Sequence, residues 1–278
     1  MNDVQVRDIV IGKGRPLALI SGPCVLEKLD EALFIAETLA AETAKRGIPY
    51  IFKASYEKDN RGSAKSYNGP GLHDGLEMLN KVREKIGCPV LSDIHRETDI
   101  PAAAQVLDVL QIPAFLCQQT SLILEAGKTG KAINVKKGQF LAPEDMASAV
   151  SKLHEMGNDN VLLTERGTCF GYHRLVSDLR CIPIMQSLGC PVVYDPTHIV
   201  RIYGLPSSDP AGGEPEFALH LARAGVAAGA NALFIETHPS PFKAACDAAS
   251  MVCLGDELPL LLDQVLPIAA AVRAQGLA

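Results

Sequence analysis

Short apolar runs alternate with longer amphipathic stretches along nearly the whole chain. The apolar runs predict buried strands, and the stretches between them carry the three-to-four-residue spacing of helices. The predicted strands cover Leu17–Ser21, Tyr50–Ala54, Pro89–Ser92, Val109–Ile112, Ala132–Val135, Val161–Thr164, Pro191–Tyr194 and Ala232–Ile235. Short strands that are uniformly apolar and separated by helices require a parallel sheet that is covered on both faces.

Eight strand–helix units in about 260 residues predict a closed (β/α)8 TIM barrel rather than an open sheet. No Gly-x-Gly-x-x-Gly follows the first strand, which argues against a dinucleotide-binding fold. Ahead of the barrel, the alternation in residues 5–11 and the glycines that follow predict a short hairpin within residues 1–14. We therefore predict one barrel domain over residues 1–278. The helices are predicted over residues 28–46, 71–86, 99–106, 120–128, 143–157, 179–188, 216–229 and 258–275.

The composition narrows the classes of function. The 278 residues are 47% hydrophobic and carry a formal net charge of -6, without basic tracts, which argues against nucleic acid as a partner. Eight cysteines show no Cys-x-x-Cys spacing, so we expect reduced thiols. The first residues lack the pattern of a signal peptide, and Asp263 interrupts the last apolar segment, so we expect a cytoplasmic protein without a membrane span.

Positive charge is concentrated on one loop of this acidic chain. Lys53, Lys58, Arg61 and Lys65 lie within a few residues of one another. Crowded cations are costly without a partner, so the loop is expected to bind an anion, although a solvated basic loop is the plain alternative. The position of Lys53 at the end of an apolar strand favours the anion, because side chains there point into a site.

Ionisable side chains follow nearly every predicted strand, where barrel enzymes place their active sites. One subset consists of cations suited to phosphate, namely Lys53, Lys58, Lys136 and Arg166. A second subset suits zinc, iron or manganese and consists of Cys24, His198, Glu236 and Asp247. Taken singly, Cys24 is also explained as a buried core thiol and His198 as a hydrogen-bonded loop histidine.

Six sequence blocks carry a resemblance to a known family, and together they extend over about residues 5–270. The blocks are Lys58-Asp-Asn-Arg-Gly-Ser63, Gln111-Ile-Pro-Ala-Phe-Leu-Cys117, Asn134-Val-Lys-Lys-Gly-Gln-Phe140, Thr164-Glu-Arg-Gly167, Phe170-Gly-Tyr172 and Ile235-Glu-Thr-His-Pro239. In this order they resemble the 3-deoxy-D-manno-octulosonate 8-phosphate (Kdo 8-phosphate) synthases. That resemblance implies a (β/α)8 barrel that condenses phosphoenolpyruvate with arabinose 5-phosphate and releases phosphate, a step in lipopolysaccharide biosynthesis.

The resemblance also implies roles for individual residues. Lys53, Lys136 and Arg166 are expected to hold phosphoenolpyruvate, with Ser55, Lys58 and Gln139 nearby. Asn60 and Asp93 are expected to face the sugar, and Arg61 its distal phosphate from a neighbouring subunit of a homotetramer. Cys24 places the chain with the metal-dependent branch of the family, with His198, Glu236 and Asp247 as the other ligands; the metal-independent branch has Asn at the first position.

Some positions depart from the family pattern, and two rival functions stay open. Gly62, Gln118 and Ser121 replace residues usual near the sugar phosphate and the subunit interface, and Cys246 is more usual in the metal-independent branch. One rival is 3-deoxy-D-arabino-heptulosonate 7-phosphate synthase, which takes erythrose 4-phosphate; Asn60 favours the longer sugar. The other rival is a non-catalytic sugar-phosphate-binding protein on a decayed barrel.

Overall fold

The computed structural model describes residues 1–60, 63, 65–206 and 209–276. The chain begins with an antiparallel hairpin of β1 (Val4–Val6) and β2 (Ile9–Ile11), as predicted within residues 1–14. The turn lies between these strands, where Arg7 adopts a positive φ of 53°. The four buried side chains of the hairpin join the apolar cluster inside the barrel, so the hairpin closes its amino-terminal end.

Eight parallel strands form the barrel, which confirms the predicted fold. Their order in the sheet follows the chain, and the seventh barrel strand pairs with both the sixth and the eighth while the eighth pairs with the first, so the sheet closes. The barrel strands are β3 (Ala18–Gly22), β4 (Tyr50–Lys53), β5 (Val90–Asp93), β6 (Val109–Ile112), β7 (Ala132–Lys136), β8 (Val161–Glu165), β11 (Val192–Tyr194) and β12 (Ala232–His238).

Helices cover the outside of the barrel, largely where the periodicity predicts them. They are α1 (Leu29–Ala44), α2 (Leu72–Ile86), α3 (Ile100–Val106), α4 (Thr120–Lys128), α5 (Ala147–Glu155), α6 (Cys181–Ser187), α7 (Pro196–Ile199), α8 (Ala218–Ala227) and α9 (Glu257–Ala274). The predicted helix from Pro143 starts with a 3-10 turn, Pro143–Met146, and α7 was not predicted. None of the described helices combines the length and apolar character of a membrane span.

Three further short strands lie at the carboxyl-terminal end of the barrel. β9 (Thr168–Cys169) and β10 (Leu175–Val176) form a small hairpin, and β13 (Val252–Cys253) pairs with the end of β12. The eighth barrel strand is therefore longer than predicted, and it contains Glu236 and His238 instead of ending before them. This extension fixes the backbone of Glu236 by sheet hydrogen bonding, which holds the carboxylate more firmly than a loop would.

One glycine sets how closely a helix approaches the seventh barrel strand. A Cβ atom added to Gly225 in α8 would lie 2.3 Å from Cδ1 of Tyr194 in β11, so no larger residue fits there without displacement. The Tyr194 hydroxyl also donates to Ser177 Oγ at 3.0 Å. These contacts fix the end of β11, and the next residue, Asp195, enters the site described below.

Candidate functional site

A cavity of about 630 Å³ opens at the carboxyl-terminal ends of the strands, a volume typical of small-molecule sites. Three predicted residues, Ser55, Cys24 and Glu236, are fully buried and are not among those that line it. Arg61 lies outside the described residues. The predicted residues that line the cavity are Lys53, Lys58, Asn60, Asp93, Lys136, Gln139, Arg166, His198 and Asp247. The structure therefore brings most of the predicted site to one place.

Three buried lysines of the cavity each contact a carboxylate. Lys53 Nζ lies 2.7 Å from Glu236 Oε1, and Lys136 Nζ lies 2.6 Å from Asp195 Oδ2. Lys58 Nζ lies 3.3 Å from Asp93 Oδ2. The sequence distinguished the cation subset from the metal-ligand subset by their chemistry, and the structure brings one member of each, Lys53 and Glu236, into contact. The two groups interleave because a buried ammonium group needs a nearby opposite charge.

Asp93 joins a belt of polar side chains that crosses the inside of the barrel. Its carboxylate accepts hydrogen bonds from Ser55 Oγ at 2.5 Å and from the Gln111 amide. The belt continues through Asn134, whose amide donates to Gln111 Oε1 at 2.8 Å, and Thr164, whose hydroxyl donates to Asn134 Oδ1 at 2.7 Å. Ser55 therefore lies behind the cavity wall and holds Asp93 in place.

The electrostatic surroundings of Asp93 keep it ionised. Burial raises the pKa of this carboxyl, but the ammonium groups of Lys58 and Lys53 outweigh burial and hold the pKa well below its usual range. Gln111, Asn134 and Thr164 were not assigned individual roles from the sequence. The available signal was a polar side chain inside an otherwise apolar strand, because such a group needs a buried partner.

Asp195 connects the cation subset to the predicted metal ligands. Its Oδ2 atom lies 2.6 Å from Lys136 Nζ and 2.7 Å from His198 Nδ1. Its Oδ1 atom accepts from Thr197 Oγ1 and from the His198 backbone N–H, both at 3.0 Å, and so caps the short helix α7. Burial raises the pKa of Asp195, but His198 and Lys136 outweigh it and the pKa is lowered. The sequence placed Asp195 at a strand end without giving it a role.

The buried ring of Phe234 packs against the ammonium groups of two of the lysines. Lys136 Nζ lies 3.8 Å from the centre of its ring, and Lys53 Nζ lies 5.3 Å from it. Both distances are within the range of cation–π attraction. The ring also separates the charged layer from the apolar interior, so the ammonium groups lie where electrostatic interactions are little weakened by water.

Arg166 differs from the lysines in its partner. Its Nη2 atom donates to the Tyr203 hydroxyl at 2.9 Å, and Gln139 Nε2 donates to the same oxygen at 3.0 Å. Among the described residues, no carboxylate lies within 4.0 Å of the Arg166 guanidinium. Arg166 Nη1 and Gln139 Oε1 are buried and have no hydrogen-bond partner in the described part of the chain. A buried donor of this kind fits an anion in the cavity.

The predicted metal ligands form two overlapping groups. Donor atoms of His198, Glu236 and Asp247 lie within 4.8 Å of one another, and so do those of Cys24, Cys246 and Asp247. Asp247 belongs to both groups, and it adopts a positive φ of 49°, which is uncommon outside glycine. Cys246 was not predicted as a donor. No sequence pattern indicates a donor there, since a position in an irregular loop fixes no direction for the side chain.

These residues fit a transition-metal ion by their chemistry. A thiol, an imidazole and two carboxylates are the donors that zinc, iron and manganese accept. Glu236 Oε2 is buried and has no hydrogen-bond partner among the described residues, as expected of an oxygen that has a further ligand to bind. Burial, the Cys246 thiol and the Asp247 carboxylate raise the pKa of Cys24, which a bound cation would counteract.

The fold and this cavity define a (β/α)8-barrel protein with a charged small-molecule site at its strand ends. Residues 2–263 match the model of the DAHP synthetase I family, and the chain belongs to that family. It is 49% identical over 270 residues to the 2-dehydro-3-deoxyphosphooctonate aldolase of Syntrophotalea carbinolica, covering 97% of both chains. It is 51% identical over 271 residues to the protein of that name from Citrifermentans bemidjiense, covering 98% of both.

The relatives confirm the resemblance found in the sequence blocks. A third, from Geotalea daltonii, has the same name and is 50% identical over 273 residues, covering 98% of this chain and all of the relative. The name 2-dehydro-3-deoxyphosphooctonate aldolase is another name for Kdo 8-phosphate synthase, so these relatives favour the octulosonate reading over the heptulosonate rival.

We expect Arg166→Ala to weaken binding of inorganic phosphate at least about tenfold, equivalent to ~1.4 kcal/mol, because it removes a donor left free inside the cavity. Calorimetric titration measures the change. Arg180→Ala, at the exposed start of α6, is the matched control and should bind phosphate as the unmodified protein does. Equal affinity in the two variants would show that phosphate binds elsewhere.

Proposed function

We propose that this chain condenses phosphoenolpyruvate with D-arabinose 5-phosphate and water, giving 3-deoxy-D-manno-octulosonate 8-phosphate and inorganic phosphate. The observation that carries the proposal is the convergence of Lys53, Lys58, Lys136 and Arg166 on one cavity. Two phosphorylated substrates that meet face to face require such a concentration of cations. The names of the relatives support the same reaction. A cytoplasmic location and a role in lipopolysaccharide biosynthesis stay predictions.

In this proposal the deep end of the cavity binds phosphoenolpyruvate. Lys53, Lys136 and Arg166 hold its anionic groups, and Gln139 positions Arg166 through their shared contact with the Tyr203 hydroxyl. The terminal carbon of phosphoenolpyruvate attacks the sugar aldehyde, and water adds to the resulting cationic carbon. Phosphate then leaves with cleavage of its carbon–oxygen bond. Orientation and electrostatic stabilisation supply most of the acceleration.

The sugar is proposed to lie toward the loop after β4. Lys58 and Asp93 line the cavity as a pair, and Asn60 lines it at the exposed rim, so all three can reach a sugar chain. Asp59 would repel a sugar phosphate, but its carboxylate lies 3.1 Å from Arg96 Nη2, which offsets its charge. This ion pair weakens the repulsion between Asp59 and a sugar phosphate.

We also propose a divalent zinc, iron or manganese ion held by Cys24, His198, Glu236 and Asp247. When bound, the ion supplies a Lewis acid that orients the aldehyde or activates the attacking water. Lys53 binds the Glu236 carboxylate, and Asp195 binds both His198 and Lys136, so these residues orient two of the proposed ligands.

The substrate proposal predicts a preference between two sugars. Phosphate release from phosphoenolpyruvate should be at least about tenfold faster with arabinose 5-phosphate than with erythrose 4-phosphate, a difference of about 1.4 kcal/mol in transition-state binding. A coupled phosphate assay at equal sugar concentrations measures both rates. A faster reaction with erythrose 4-phosphate would favour the heptulosonate rival, and no release with either sugar would favour a binding protein.

The metal proposal predicts that the purified protein carries roughly one transition-metal ion per chain. A strong chelator should remove the ion and the activity together, and added metal should restore both. Cys24→Ser should retain less metal by elemental analysis, because a thiolate ligand is lost. Cys88→Ser, at the opposite end of the barrel, is the control and should retain the ion. Full activity in metal-stripped protein would contradict the proposal.

We further propose that the chain forms a homotetramer in which the Arg61 of a neighbour completes each site. An exposed aromatic face beside the cavity supports this assembly. Phe170, on the hairpin of β9 and β10, is 85% exposed, and Phe115 and Phe140 are more than half exposed. These side chains line a second cavity of about 790 Å³ that shares Phe115, Gln139 and Tyr203 with the first. Apolar patches of this kind mark protein interfaces.

Complementation between two inactive variants tests the assembly. Arg61→Ala and Arg166→Ala should each be nearly inactive alone, but mixed oligomers should regain activity, because one hybrid site then has Arg166 from one subunit and Arg61 from the other. Sedimentation establishes the oligomeric state in the same samples. A fully active monomer, or mixed oligomers without regained activity, would contradict the proposal.

A further inference from the structure

Two thiols meet behind the wall of the cavity. Cys24 Sγ lies 2.8 Å from Cys246 Sγ, although 222 residues separate them in the chain. Both side chains are completely buried, in a small apolar cluster with Val25, Ala244 and Met251. The sulfur–sulfur bond of a disulfide is about 2.05 Å long, so a shift of less than about 1 Å would bring the two sulfurs to bonding distance.

We propose that Cys24 and Cys246 are a site of reversible covalent modification, at which a peroxide converts the two thiols into a disulfide. The residue roles implied by the family resemblance make Cys24 a metal ligand and assign no role to Cys246. Within the described part of the chain, this is the one hydrogen-bond contact between two thiols. The remaining cysteines are also free, so they supply internal controls.

Oxidation of the two thiols to a disulfide needs one hydrogen peroxide and no other reagent. The sulfur of Cys24 attacks one peroxide oxygen, the oxygen–oxygen bond breaks, and the products are a sulfenic acid and water. The sulfur of Cys246 then attacks the Cys24 sulfur and expels a second water as the disulfide forms. The two sulfurs thus supply the two electrons that reduce one hydrogen peroxide to two waters.

Asp247 lies between the open cavity and the thiol pair. Asp247 lines the open cavity, and its Oδ2 atom lies 3.1 Å from Cys24 Sγ. Neither thiol lines the cavity itself, so a small peroxide must pass Asp247 to reach Cys24, which the proposal takes as the first thiol to be oxidised.

The consequence for function rests on the metal site proposed above. A sulfur that is bonded to Cys246 no longer offers a thiolate, so oxidation should release the ion. The ion pairs of Lys53 and Lys136 involve no sulfur and should persist, which keeps the oxidised protein folded. Reduction by a small thiol would then restore the ligand.

Peptide mapping after exposure to hydrogen peroxide tests the modification. The protein is alkylated under denaturing conditions, digested and analysed by mass spectrometry. We expect a cross-linked peptide that contains Cys24 and Cys246, which disappears on treatment with dithiothreitol. Cys246→Ser should yield no cross-link and should instead carry Cys24 as a sulfenic or higher oxidised acid. Cys88→Ser should form the cross-link as the unmodified protein does.

The peptide map of the unmodified protein is sufficient to test whether the disulfide forms, because the map requires neither substrate nor metal. Absence of the cross-linked peptide, with either free thiols or a sulfinic acid at Cys24, would overturn the proposal. Loading with zinc beforehand should slow cross-linking, since one sulfur cannot hold the ion and bond to Cys246 together. Cross-linking at an unchanged rate would leave the modification standing and would overturn its link to the metal.

Discussion

The ion pair between Lys53 and Glu236 is the constraint on which the mouth of the barrel depends. Both side chains are only 1% exposed, and a buried charge left without its partner costs several kcal/mol. Lys53 ends β4 and Glu236 lies in β12, so the pair reaches across the intervening strand β3. The pair of Lys136 and Asp195 reaches across β8 in the same way. Opposite charges thus pair across an intervening strand, and this pairing permits so many ionisable groups to lie in a barrel.

The pairing of lysines with carboxylates also weakens the attraction of the cavity for an anion. Three lysines that appear to be free cations in the sequence are largely neutralised by carboxylates, so the cavity holds less excess positive charge than its cations suggest. Arg166, which contacts the neutral hydroxyl of Tyr203, retains its charge for a ligand. A bound phosphate must therefore share the lysines with their carboxylates. Phe234 strengthens this competition, because it keeps water from the lower side of the ammonium groups.

Periodicity predicts the barrel well because short apolar strands alternating with amphipathic helices have few other ways to bury their surface. It also finds Lys53, Asp93 and Lys136, since each ends a barrel strand whose limits the pattern defines. The contacts between these charged side chains were not predicted. Glu236 lies 183 residues after Lys53, and only closure of the barrel reveals their contact. Tyr203 and Cys246 lie in irregular loops, where no period fixes the direction of a side chain.

The four proposed metal ligands differ in whether they contact an oppositely charged side chain, and this difference affects how such a site can change during evolution. Glu236 is bound to Lys53, His198 to Asp195, and Asp247 lies 3.5 Å from Arg201. Replacing Glu236 would remove the carboxylate that the buried Lys53 ammonium contacts, and replacing His198 or Asp247 would remove one charged partner of Asp195 or of Arg201. Cys24 contacts another thiol and the Asp247 carboxylate, and no cation is among its side-chain partners in the described residues. It is the position that can be exchanged for a neutral side chain at the smallest electrostatic cost, and a lineage that abandons the metal is expected to lose this ligand first.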